Sequence, residues 1–300
     1  MLHIDPYSSK IKKALDLHVS LLIPLLKIRI SKIVDPDSIL FIDRYITPNL
    51  KRILSDKPKN LIVYSRAFSK YNNEQLLKDI NSIFNYRWFI DKIKSRYSGY
   101  DLAKNLDINS CTYCNRNYTN TVITKNGDYI SRPQFDHYFD KKSHPLLSLS
   151  FFNLIPSCSI CNSNIKHTKV FKLSTHSHPY IDDICDEFKF SYSLVSDPFY
   201  KNGLKIDVRT KLPKIEKYLS DLAISEVYNS HTDILFDLIE TKKAFTNSYI
   251  QILEENVLNQ KISNEEIYRF AFGVYLDDKD FDKRPLSKFK KDILTELGFI

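Results

Sequence analysis

Four of the chain's five cysteines fall into two Cys-x-x-Cys pairs, Cys111/Cys114 and Cys158/Cys161, with 43 residues between the pairs. Each pair can present two thiolates from a tight knuckle, and four thiolates make a closed tetrahedral Zn²⁺ site. The separation is longer than in a compact zinc ribbon. A Cys₄ set leaves no open coordination position, so the expected zinc is structural and holds whatever lies between the pairs in fixed geometry. Between them stand Asp136-His137 and Asn153, and just past the last cysteine come Asn162 and Lys166. Cys185 is left over and reads as a plain buried thiol.

Taken singly these residues say little. A lone histidine is usually a surface or hydrogen-bonded one, asparagines serve turns and helix caps, and a lysine is usually solvated. Their order is what informs. The run "CTYC…FDHYFDKKSHPLLSLSFFNLIPSCSICNSNIK" resembles the HNH motif of the ββα-metal (His-Me) finger endonucleases, in which Cys-x-x-Cys, Asp-His, Asn, and Cys-x-x-Cys-His/Asn follow one another with a lysine soon after. Within that family "HPLLSLSFFNLIPSCSICN" is most similar to the HNH subunit of Septu-type anti-phage defence systems (PtuB-like), and the tail "DKRPLSKFKKDILTELGF" resembles the end of those subunits. The resemblance covers residues 111–180 closely and the flanks loosely.

The resemblance implies a metal-dependent endonuclease that hydrolyses phosphodiester bonds, with nicking or cutting of DNA as the leading expectation. It also implies a partner ATPase of the ABC/SMC-like type (PtuA-like) and an effector role in bacterial defence. The residues suit that chemistry, which needs a base for water and a cation for the phosphate. His137 is the expected base, since imidazole titrates near neutrality. Asp136 and the amide oxygen of Asn162 would be ligands of one catalytic Mg²⁺ or Mn²⁺. Asn153 would fix the His137 ring, as the family's central asparagine does, and Lys166 would reach a substrate phosphate as a point charge. Two departures stand out. The third motif position is Asn162 where a histidine is common, and Asp140 stands where many relatives have proline, adding a carboxylate that either enters the metal shell or faces solvent. An RNA substrate is one alternative, because such a finger engages phosphate and does not itself read the sugar. A catalytically inactive, zinc-stabilised module that binds nucleic acid or a partner is another. His176 and His178 alternate as in an extended segment and are weaker candidates for metal or phosphate.

These residues need elements to position them. The expected fold is mainly α (α+β): a helical region over 1–108, a small zinc-stabilised ββα nuclease module over 109–180, and a helical region over 181–300. Residues 8–34 read as one amphipathic helix, with Ile11, Leu15, Leu17, Leu21, Leu22 and Leu25 on a broad face. "DPDSILFIDRYITPNLKRIL" reads as a second helix interrupted near Pro48, the stretch from Asn72 to Tyr97 as a third, and "GYDLAKNLDI" as a short helix leading to Cys111. β-Branched and aromatic residues on both sides of Asn126-Gly127 signal a hairpin that would carry Asp136-His137 on or just past its second strand. A helix is expected from near Ser159, and residues 212–258 and 264–300 return to helical periodicity.

The formal charge of +8 is uneven, at +8 over residues 1–110, +5 over 111–180 and −5 over 181–300. A basic front and middle suit a polyanion such as nucleic acid on one side only. No segment reaches the roughly 18 apolar residues of a membrane span, and the first ten residues lack the pattern of a secretory signal. A cytoplasmic protein with reduced or metal-bound cysteines is therefore expected.

Overall fold

The computed structural model describes residues 2–71, 73–91, 96–195, 203–244 and 263–300. It is mainly helical with three small antiparallel sheets of two strands each. One continuous cluster of buried apolar side chains, from Ile4 to Leu294, runs through all three stretches of the chain.

The first helix, α1 (Ser9–Ile30), is capped by the Ser8 hydroxyl and buries Ile11, Ala14, His18, Val19, Leu22 and Leu26. That spacing puts them on one face, although Leu21 of the expected face is exposed. The second expected helix is broken into α2 (Pro36–Phe41), a wide turn at Ile42–Ile46, a tight turn at Thr47–Asn49 and α3 (Leu50–Ser55). Pro48, which has no N–H to donate, sits at the break. An unanticipated helix, α4 (Pro58–Ser69), follows with proline at its first position. The third expected helix is two helices, α5 (Glu74–Ile83) and α6 (Tyr86–Ile90), because the Asn85 side chain caps a new start by accepting from Trp88 N. Residues 72 and 92–95 of that expectation lie outside the described residues. Helix α7 (Gly99–Leu106) opens on a reciprocal capping box between Ser98 and Asp101 and hands the chain to Cys111.

The Asn126-Gly127 hairpin exists as β1 (Val122–Ile123) and β2 (Tyr129–Ser131), with Gly127 at φ 81°. It does not carry the Asp-His pair, which corrects the sequence reading. Asp136 and His137 end the next strand, β3 (Gln134–His137), whose partner is β4 (Leu154–Ser157) in the register Gln134↔Ser157 to His137↔Leu154. A short wide helix, Ile160–Lys166, then packs back across β3. This strand–strand–helix unit holds Cys158 and Cys161 at its β4–helix corner.

Beyond the unit lie two strands within the stretch expected to be helical. Strands β5 (Phe188–Leu194) and β6 (Leu204–Thr210) pair over seven residues each. Among the described residues, helices α8 (Pro213–Asp221), α9 (Ile224–Asn229), α10 (Thr232–Ala244), α11 (Asn264–Phe272) and α12 (Ser287–Glu296) follow. The part of the expected 212–258 helical stretch from 245 onward lies outside the described residues. The C-terminal region clamps the first cysteine knuckle. Asn115, fully buried, donates from Nδ2 to the carbonyls of Phe281 and Arg284, and its Oδ1 accepts from Lys288 N. Tyr228 Oη donates to the Cys114 carbonyl at 2.7 Å. Among the described residues, no helix is long and apolar enough to cross a membrane.

Candidate functional site

The first knuckle is closed by Cys111 N donating to Asn117 O, with Asn115 in the left-handed region at φ 50°. The second sits at the end of β4. Together they bring the four Sγ atoms of Cys111, Cys114, Cys158 and Cys161 within 4.8 Å of one another, all buried. A tetrahedral zinc with Zn–S near 2.3 Å separates its sulfurs by roughly 3.8 Å, so the cluster fits that ion. Backbone and amide N–H groups point at the sulfurs: Cys158 N to Cys111 Sγ, Arg116 N to Cys114 Sγ, and Asn117 Nδ2 to Cys158 Sγ. Hydrogen bonds from Cys111, Cys114 and Cys161 draw the Cys158 thiol down, while burial pushes the Cys111 thiol up. Four crowded thiols can all ionise only beside a cation, and a dication supplies that charge. Cys185 packs apart from them against Leu2 and Phe281.

Successive residues of β3 point to opposite faces, and the Asp-His pair divides accordingly. Asp136, 4% exposed, turns toward the short helix. Its Oδ1 accepts from Lys166 Nζ at 3.1 Å and its Oδ2 from Tyr113 Oη at 2.5 Å. Lys166 is 3% exposed, donates again to the His137 carbonyl at 2.9 Å and lies 4.9 Å from the Phe171 ring. The lysine expected to reach a phosphate is thus turned inward as the carboxylate's partner. Asn162, one helical turn earlier, donates to Gln134 Oε1 at 2.9 Å. The helix register on β3 therefore sets Lys166 over Asp136 and Asn162 over Gln134.

His137 is 8% exposed on the other face. Its Nε2 lies 2.9 Å from the Ser148 carbonyl. A carbonyl only accepts, so Nε2 carries the proton and the Nδ1 lone pair is free of it. The Tyr86 ring stands edge-on to the imidazole at 4.5 Å, fixed by its hydroxyl donating to Phe135 O at 3.0 Å. Lys141 Nζ lies over the same tyrosine ring at 5.4 Å and is exposed. Burial lowers the His137 pKa to about 4, with Lys141 and Lys166 adding to the effect and the Ser148 carbonyl and Asp136 opposing it. The imidazole is neutral at pH 7 and able to accept a proton.

Asn153, fully buried, makes no hydrogen bond to the His137 ring, contrary to the sequence expectation. Its Oδ1 accepts from Phe139 N at 2.7 Å, and its Nδ2 donates to Phe139 O at 3.1 Å and Leu147 O at 2.9 Å. It clasps the loop between β3 and β4 and so positions the Ser148 carbonyl that orients His137. The N-terminal region braces the same loop: His18 Nε2 donates to Leu149 O at 2.8 Å, and Ser150 Oγ donates to Ile53 O at 2.5 Å. Asp140 accepts from Ser143 N at 2.8 Å and shapes the loop's first turn.

His176 and His178 have other partners. His176 Nε2 meets Asp221 Oδ2 at 2.8 Å and its ring stacks on Phe171. His178 is buried against Tyr138, with ring centroids 4.2 Å apart, and its Nδ1 accepts from Tyr180 N. Tyr113, Tyr86, Ser148 and Lys141 were not singled out from sequence. Tyr113 carried a signal, since it lies inside a cysteine knuckle.

No protein-family model, no curated protein and no solved structure matches the chain.

Proposed function

We propose that the chain is an endonuclease of the HNH kind that hydrolyses phosphodiester bonds of nucleic acid, DNA foremost, with His137 as general base. The observation that carries this reading is the His137–Ser148 hydrogen bond, which puts the proton on Nε2 and leaves Nδ1 to accept one. In the hydrolytic step Nδ1 takes a proton from water as the water oxygen bonds to phosphorus. The P–O bond to the leaving sugar oxygen breaks, and imidazolium returns the proton to solvent or to that oxygen. Tyr86 and the Asn153-clasped loop hold the ring through this step, and Lys141 supplies positive charge on the same side. A bound phosphate diester, being anionic, would also raise the His137 pKa toward neutrality.

Zn²⁺ on Cys111, Cys114, Cys158 and Cys161 supplies a structural tie and no open position. As built, the Asp136 carboxylate is paired with Lys166 and Tyr113 and the Asn162 amide is turned to Gln134, so a catalytic Mg²⁺ or Mn²⁺ on Asp136 and Asn162 would need Lys166 to give way. The step above uses the chain's own groups, and an ion held there would supply charge against the phosphate.

The resemblance of residues 111–180 to Septu HNH subunits supports a role in anti-phage defence beside an ABC/SMC-like ATPase. The test is cleavage of supercoiled plasmid and of total RNA by the zinc-loaded chain, alone and with that ATPase, in Mg²⁺, in Mn²⁺ and in EDTA. Plasmid nicking supports the reading. Cleavage of RNA alone would move the substrate to RNA, and no cleavage of either would overturn the enzyme in favour of a binding module.

A further inference from the structure

The Asp136 carboxylate already has a cation. The Lys166 ammonium sits between Asp136 Oδ1 and the His137 carbonyl oxygen, at 3.1 and 2.9 Å, with the Phe171 ring at 4.9 Å on another side. Two hard oxygens and a π face around one buried positive charge are the surroundings of a bound cation. The second carboxylate oxygen is closed by the Tyr113 hydroxyl. Both partners are delivered by the cysteine knuckles. Tyr113 lies inside Cys111–Cys114, and Lys166 ends the helix that Cys158 and Cys161 anchor.

We propose that Lys166 is the chain's resident cation on Asp136, and that a divalent ion reaches this carboxylate only by displacing the ammonium. A free carboxylate beside an amide oxygen would draw a divalent ion into the Asp136–Asn162 face. With Lys166 in place that face is already neutralised, and a dication there would meet a like charge at close range in a buried setting. The ammonium and the ion therefore exclude each other. When the ion enters, Lys166 must leave the pocket on its four-carbon stem, toward solvent, where it becomes free to meet a substrate phosphate. The proposal deepens the nuclease reading by naming what controls metal access to its site, and it rests on that reading only for its relevance to cleavage.

The experiment reads Mn²⁺ binding by electron paramagnetic resonance, on zinc-loaded wild type, Lys166→Met, and the Asp136→Asn/Lys166→Met double variant. Zinc content and circular dichroism establish that each is folded. Lys166→Met should bind Mn²⁺ about tenfold or more tightly than wild type, and the double variant should lose that gain. Wild type binding as tightly as Lys166→Met, or no gain in Lys166→Met, would overturn the proposal. If Lys166→Met fails to fold, the unaltered protein decides. Acetylation of Lys166 by a mild amine reagent, followed by mass spectrometry, should be slow without Mn²⁺ and should rise in step with Mn²⁺ occupancy. Mn²⁺ bound through Asp136, as shown by its loss in Asp136→Asn, with Lys166 still protected would overturn it. None of these readouts uses cleavage, so failure of the nuclease reading would leave them interpretable.

Discussion

The Tyr113 hydroxyl donates to Oδ2 of Asp136 at 2.5 Å, and this one contact joins the first cysteine knuckle to the strand that carries His137. Tyr113 is fully buried, so the bond lies in a low-dielectric setting where an unmet carboxylate oxygen is costly. Tyr113→Phe keeps the ring and removes the donor. It should lower stability by about 1–3 kcal/mol, read from the urea midpoint, while bound zinc stays unchanged. An unchanged midpoint would mean that Asp136 draws its stabilisation from Lys166 alone.

The Lys166–Asp136 pair is a separate case, since both partners are almost wholly buried. Lys166→Met alone leaves a buried charge with only a phenol against it and should destabilise by about 3–5 kcal/mol. Adding Asp136→Asn removes the charge and should recover most of that loss. Denaturant titration of the two single variants and the double variant measures the coupling. Simple additivity would contradict the pairing.

Zinc removal should loosen both ends of this arrangement at once. The knuckles bring Tyr113 and Lys166 to Asp136, and the four thiols are buried against one another. Titration with a strong zinc chelator should release one zinc per cluster of four cysteines and, in the same transition, lose the near-ultraviolet signal of the aromatic core. Zinc leaving with that signal intact would show the knuckles to be independent of the core.

Acid should destabilise the fold through buried histidines outside the cysteine cluster. His18, hydrogen-bonded to Tyr97 and Leu149, has its pKa lowered to about 4 by burial, and His178 to about 3. Their folded pKa values lie below the unfolded value near 6.5. The folded state thus binds fewer protons, and stability is full above about pH 6.5 and falls as the pH drops toward 4 and 3. Each unit is worth about 1.4 kcal/mol, so several kcal/mol are at stake. Stability measured between pH 7.5 and 4.5 should fall steeply, and His18→Asn should flatten the slope. An unchanged slope in that variant would remove His18 from the account.

Much of this was legible in the sequence, and the reasons for the rest are physical. The cysteine pairs announced a four-sulfur cluster because thiols at that spacing have few other uses, and the structure assembles them. Asn126-Gly127 announced its hairpin correctly. The partner of β3 went unrecognised because "LIPS" is a short apolar run with Pro156 inside it, which gives neither a period of two nor a turn signal. Its distance from β3 is spanned by a loop that Asn153 closes, and such a clasp leaves no periodic trace. In contrast, "FKFSYSL" and "LKIDVRT" do alternate, and the β5–β6 pairing was there to be read. In the sequence Lys166 looks solvated or phosphate-seeking, because sequence does not show that the helix register sets it over Asp136.

The central claim, that His137 is the base for phosphodiester hydrolysis, is tested most directly by supercoiled plasmid cleavage with wild type and His137→Ala at equal zinc content. The imidazole's bonds are to one carbonyl and one ring edge, so the variant should fold. The rate should fall by roughly 100-fold or more, as for loss of a general base. Cleavage by His137→Ala at the wild-type rate would contradict the account.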